Sequence, residues 1–170
     1  IKDTVSLLSE EIQKETLIRI HHAHNETGNS QSMWWTKNMP SIKLDDWAKD
    51  FESVTNMSRL ILTAHNGTTF LETISKGIPT LITWTPEWVE IRDEAKSVFS
   101  QLSEVGIFHE NPQSLALHIT NIWSDVDGWW QSNAVVNARS FLCAEFAKSN
   151  PKPLRFLRHT LTTTYKNPSN

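Results

Sequence analysis

Residues 60–84, LILTAHNGTTFLETISKGIPTLITW, constrain the fold more than any other stretch of the chain. An apolar run stops abruptly at His65-Asn66-Gly67-Thr68-Thr69. Phe70, Leu71 and Ile74 then recur at helical spacing. Gly77 suits the position just past a helix end, and Pro79 prevents the helix from continuing. A second apolar run, 80–84, follows directly. Strand, polar turn, helix and strand in that order make a βαβ unit, whose two strands lie parallel. The polar turn then sits at the carboxyl edge of the sheet, where open α/β sheets hold their ligands.

The remaining chain repeats this alternation. Residues 4–15 place Val5, Leu8 and Ile12 on one face and predict a single amphipathic helix. Residues 16–22 predict a short strand carrying Arg19, and 25–40 a polar loop containing Gly28, Trp34 and Trp35. A helix is expected to start at 44–47, with Asp45 or Asp46 at its N-terminus and Trp47, Phe51 and Val54 as its apolar stripe. Further on come a helix over 90–104, a very short strand at 107–109, and a helix opened by Asn111-Pro112. The last elements are a turn at 125–130, a long helix over 133–149, and a helical turn at 154–161 before a polar tail. The fold class implied is α/β: a parallel sheet flanked by helices, with a helical C-terminal section. Residues 1–150 would form the domain and 151–170 a helical turn and tail. The first residue is Ile1 rather than Met, which raises the expectation of a piece from a longer protein.

Charge and composition remove several classes. The net charge is −3 and no basic stripe stands out, so a general nucleic-acid binder is not expected. The lone Cys143 cannot form an internal disulfide. No run of about 18 apolar residues exists, so no membrane span is predicted, and no signal peptide is visible. The expected location is cytoplasmic, with a peripheral membrane association open.

The turn at 65–69 could do anion chemistry. Backbone N–H groups of Gly67, Thr68 and Thr69 would meet a ligand at a helix start, and the threonine hydroxyls add donors. The string is neither GxGxxG nor GxxxxGK[ST], so it announces neither a dinucleotide site nor a P-loop. Glu72 has two readings. It completes a capping box with Thr69, or it faces the cleft and accepts from ribose or sugar hydroxyls. Arg19 either faces water on an edge strand or aims at an anion. His21, His22 and His24 match no familiar ligand spacing, so no metal is expected, although His21 could face the cleft. Trp129-Trp130 would anchor the C-terminal helix, whereas Trp34-Trp35 could stack on a sugar or base.

The segment Gly67-Thr-Thr-Phe-Leu-Glu-Thr-Ile-Ser-Lys-Gly-Ile-Pro-Thr-Leu81 resembles G-T-x-x-x-E-x-(L/I)-x-x-G-(I/V)-P in the C-terminal domain of GT-B glycosyltransferases. Residues 90–119 and 122–147, the latter opening IWSDVDGWW, are similar to a bacterial transferase family of surface-carbohydrate biosynthesis. The resemblance implies a Rossmann-like domain forming the C-terminal half of a GT-B fold, which binds a nucleotide-sugar donor. It implies donor phosphate at residues 65–69, Glu72 at the ribose or sugar, Arg19 as a second anion-binding group, and Trp84 and Glu87 lining the same cleft. No cofactor is implied beyond the nucleotide sugar as substrate. The implied partners are a glycan acceptor and an N-terminal domain that would carry the catalytic base, so the fragment alone would be inactive. A sugar-nucleotide epimerase of the same architecture and a non-catalytic scaffold are the competing readings.

Overall fold

The computed structural model describes residues 1–21, 31–85, 87, 90–148 and 152–166. Two short helices come first, α1 (Lys2–Ser6) and α2 (Glu10–Glu15). Next are β1 (Leu17–Ile18), α3 (Gln31–Asn38), β2 (Lys43–Leu44) and α4 (Phe51–Met57). The central unit is β3 (Ile61–Thr63), α5 (Thr69–Ser75) and β4 (Thr80–Thr83). Then follow α6 (Asp93–Glu104), β5 (Phe108–His109), α7 (Pro112–Ile122), α8 (Val126–Gln131), α9 (Asn133–Phe146) and α10 (Pro153–Lys166). Among the described residues all the strand pairs are parallel, β1 with β2 and, in order, β3, β4 and β5. The expected Rossmann-like α/β class holds: parallel strands in small sheets, flanked by helices.

The centre of the sheet explains why 80–84 reads as an unbroken apolar run. Leu81 and Ile82 on β4 are both fully buried, at 0% exposure. Successive side chains on a strand point to opposite faces, so each needs its own cover. Leu81 packs with Leu8 and Ile12 near the N-terminus and with Leu115, Ala116 and Ile119 of α7. Ile82 packs with Phe70 and Ile74 of α5, Val98 and Leu102 of α6, and Leu142 of α9.

Two helix ends are closed by glycine in the left-handed region. After α5, Gly77 has φ 77°. Its N–H donates to the Ile74 carbonyl (2.9 Å), while the Ile78 N–H donates to the Thr73 carbonyl (3.0 Å). Gly106 repeats the arrangement after α6, with Ile107 N–H donating to the Leu102 carbonyl at 2.8 Å. Both tryptophans of the Trp129-Trp130 pair reach back to these ends. Trp130 Nε1–H donates to the Gly77 carbonyl (2.7 Å) and Trp129 Nε1–H to the Val105 carbonyl (3.1 Å). The expected anchoring role is theirs.

Several expectations are corrected. The 4–15 helix is two helices, because Ser9 caps a new start by accepting from the Ile12 N–H. Gln13 bridges the break, donating to the Val5 and Leu8 carbonyls. The supposed loop at 25–40 contains α3, and Trp35 is a core residue at 2% exposure, packed with Val5, Ile20 and Ile42. Trp34 meets it edge-on at 5.2 Å and carries Lys2 over its own ring. The helix expected at 44–47 starts at Phe51 instead. Asp50 is its cap, accepting from the Ser53 N–H at 2.6 Å, and Trp47 sits at φ 62°. The 125–130 turn is a helix capped by Asp125. His22, His24, Asn25, Glu26 and Gly28 lie outside the described residues.

The half-buried His118 of α7 makes stability depend on pH. The His118 ring lies against the Gly106 α-carbon, 5.1 Å from Trp129 and 5.2 Å from His109. Its Nε2 is buried without a hydrogen-bond partner among the described residues. Burial, and then the neighbouring His109, lower its pKa from 6.5 to about 4. The unfolded chain therefore takes up a proton between these values that the folded chain refuses, so stability rises with pH across this window. We expect the urea midpoint to fall as pH drops from about 6.5 to about 4, with His109 adding in the same direction. In His118→Gln that slope should flatten; an unchanged slope would assign the effect to other groups.

Candidate functional site

The chain leaves β3 at Thr63 and enters α5 at Thr69, so residues 64–68 form the polar turn at the carboxyl edge of the sheet. His65, Asn66 and Thr68 are exposed, whereas Gly67 and Thr69 are half-buried. The Gly67 N–H turns back to the His65 carbonyl at 3.0 Å. The His65 imidazole folds over the glycine: a Cβ on Gly67 would lie 2.7 Å from His65 Cε1 and 2.8 Å from Nδ1. The space over Gly67 is taken by that exposed ring, which a side chain at 67 would displace; Gly67 itself has no left-handed backbone.

The start of α5 differs from the capping box expected of Thr69 and Glu72. Thr68 is the residue before the helix, and its backbone is already helical (φ −70°, ψ −18°). A side-chain cap normally needs an extended backbone at that position, and neither threonine hydroxyl caps the helix. Thr69 lies within the first turn and cannot exchange bonds with Glu72. The Glu72 N–H donates instead to the Thr68 carbonyl at 3.0 Å. The Glu72 carboxylate is exposed and has no hydrogen-bond or ion-pair partner among the described residues. The amides of Thr68 and Thr69 likewise donate to no described group, while that of Gly67 is taken. Residues 65–72 therefore present two backbone donors, an imidazole and one uncommitted carboxylate. Two donors suit an anionic or oxygen-rich ligand, and the carboxylate suits hydroxyl donors.

Other expected site residues stand elsewhere. Arg19 is not a free anion-binding group. It forms an ion pair with Asp45, donates through Nη2 to the Lys49 carbonyl (2.7 Å) and lies 4.5 Å over the Trp47 ring. The parallel register Ile18↔Leu44 places position 19 across from 45, so an arginine and an aspartate just beyond two paired strands meet. This clamp shapes the 45–49 connection. Trp84 does not line an open cleft. Strand alternation puts it on the same side as Ile82, and it is 6% exposed among Phe70, Phe99 and Phe108. Its Nε1–H has no acceptor among the described residues. Glu87 is an exposed turn residue, and His21 is exposed just beyond β1. Among the described residues no three His, Cys, Asp or Glu side chains converge as a metal-holding group. The aspartate partner of Arg19 was within reach of sequence reasoning, given the pairing of β1 with β2. The ring of His65 over Gly67 had no sequence signal beyond the glycine itself.

The chain matches the model of the LIC12162 family transferase over residues 4–161 and belongs to that family. No curated protein and no solved structure matches it.

Proposed function

We propose that this member of a transferase family is the donor-binding domain of a GT-B-type glycosyltransferase, acting in the cytoplasm in bacterial surface-polysaccharide biosynthesis. The phosphates of a nucleotide sugar would sit at the turn of His65, Asn66, Gly67, Thr68 and Thr69. Glu72 would accept hydrogen bonds from ribose or sugar hydroxyls. As the bond from sugar to phosphate breaks, charge grows on the departing nucleotide, and fixed N–H donors facing it lower the barrier. A facing N-terminal domain would bring the glycan acceptor and the catalytic base.

The observation that carries this reading is the uncommitted Glu72 carboxylate beside two unpaired amides at the carboxyl edge of β3. The family membership and the likeness of residues 67–81 to a donor-binding segment support it. Arg19, already paired with Asp45, has no part in it.

Calorimetry with UDP, CMP and GDP tests the proposal. Gly67→Val should weaken the binding nucleotide by tenfold or more, roughly the loss of one charge-assisted hydrogen bond. The fold should survive, because the atoms a new side chain meets belong to the exposed His65 ring. If the valine acts by displacing that ring, His65→Ala should weaken binding too, and the double variant should lose less than the two losses combined. Binding to no nucleotide, or binding indifferent to both changes, would leave the scaffold reading. Conversion of a nucleotide sugar without acceptor would favour the epimerase.

A further inference from the structure

We infer that α10 is an interfacial helix that docks the protein on an anionic phospholipid surface. Leu154, Leu157 and Leu161 are exposed by 81%, 54% and 61%. Spacings of three and four residues align them on one stripe of the helix. Arg155, Lys152 and His159 lie on the opposite side, around a shallow open depression that Phe156 also lines. An apolar stripe backed by a cationic face is the pattern of a helix lying in the headgroup region, its leucines at the acyl boundary. At 14 residues α10 is too short to cross a bilayer, which takes about 20. No helix among the described residues is long and apolar enough to do so.

Charge selects the occupant. Residues 147–170 contain Lys148, Lys152, Arg155, Arg158 and Lys166 and no Asp or Glu. The whole chain is −3, so these five cations leave −8 on residues 1–146. The near-neutral total hides a basic end on an acidic body, which corrects the expectation of no basic stripe. An anionic leaflet attracts the cationic end, repels the body and supplies the apolar phase that three exposed leucines lack in water.

This inference is independent of the donor site. The test is co-sedimentation of the full chain with vesicles of phosphatidylcholine alone or mixed with phosphatidylserine at about three to one. We expect binding to the mixed vesicles at about 0.1 M salt, where charges act over about 10 Å, and at least tenfold weaker binding at about 1 M salt. Phosphatidylcholine alone should also bind at least tenfold less. Leu157→Glu and the pair Arg155→Glu with Arg158→Glu should each reduce binding at least tenfold, with an unchanged circular dichroism spectrum and unchanged nucleotide binding. No binding to either vesicle, or binding that ignores Leu157→Glu, would overturn the inference. So would a dimer in the ultracentrifuge that Leu157→Glu dissociates while the vesicles stay unbound.

Discussion

Trp130→Ala should lower the unfolding free energy by about 3–5 kcal/mol, the range for emptying a fully buried large aromatic site. For a chain of this size that corresponds to a melting temperature lower by roughly 6–20 °C. Trp130 is 1% exposed and packs in the larger core with Ile74, Leu102, Val135 and Leu142. Its indole also supplies the hydrogen bond to the Gly77 carbonyl that ties α8 to the end of α5. Arg139 covers the ring at 4.7 Å. Trp130→Phe separates packing from hydrogen bonding. It keeps much of the apolar volume but leaves the exposed Gly77 carbonyl without that donor, a loss of about 0.5–1.5 kcal/mol. Urea unfolding followed by circular dichroism would measure both. A loss below about 1 kcal/mol for the alanine variant would mean that the C-terminal helices are not fastened to the sheet here.

That anchor was half legible in the sequence, and the other half shows where such reading stops. Two adjacent tryptophans ahead of a long helix announce burial, but their partners are backbone carbonyls 53 and 24 residues away. Such partners exist only once the helices are stacked. The βαβ unit was readable because every local signal agreed: an apolar run, a break in hydropathy, helical spacing, then Gly77 and Pro79. Gly77 indeed takes a positive φ. The segment 44–51 was misread because three acidic residues compete to cap one helix. Asp45 is drawn off by Arg19, and Asp50 is left to accept from Ser53. Tertiary pairing decided between locally equivalent caps. Trp34-Trp35 was misread for the opposite reason. The polar residues around Trp35 suggest a loop, but a single side chain at 2% exposure is enough to seat α3 on the core.

At the candidate site the decisive change concerns Glu72. In the sequence its carboxylate was divided between a cap and a ligand; in the fold no cap claims it. Removing it should therefore cost the fold little. What remains is its favourable position in the first turn of α5, about 0.3–1 kcal/mol. Donor binding should suffer far more. A carboxylate accepting from sugar or ribose hydroxyls makes charge-assisted bonds of about 1.5–3 kcal/mol, so Glu72→Ala should weaken nucleotide-sugar binding roughly 10- to 150-fold. Glu72→Gln keeps one acceptor oxygen without the charge and should fall between. A ribose contact can be told from a sugar contact by repeating the titration with a 2′-deoxyribose donor. If Glu72 holds the ribose through that hydroxyl, the deoxy donor should bind the native protein more weakly and Glu72→Ala should then add almost nothing. If the penalty of Glu72→Ala is the same for both donors, the carboxylate acts elsewhere on the donor. Equal affinity of native, Gln and Ala proteins for every donor would remove Glu72 from the site and leave its exposed carboxylate as solvated helix surface.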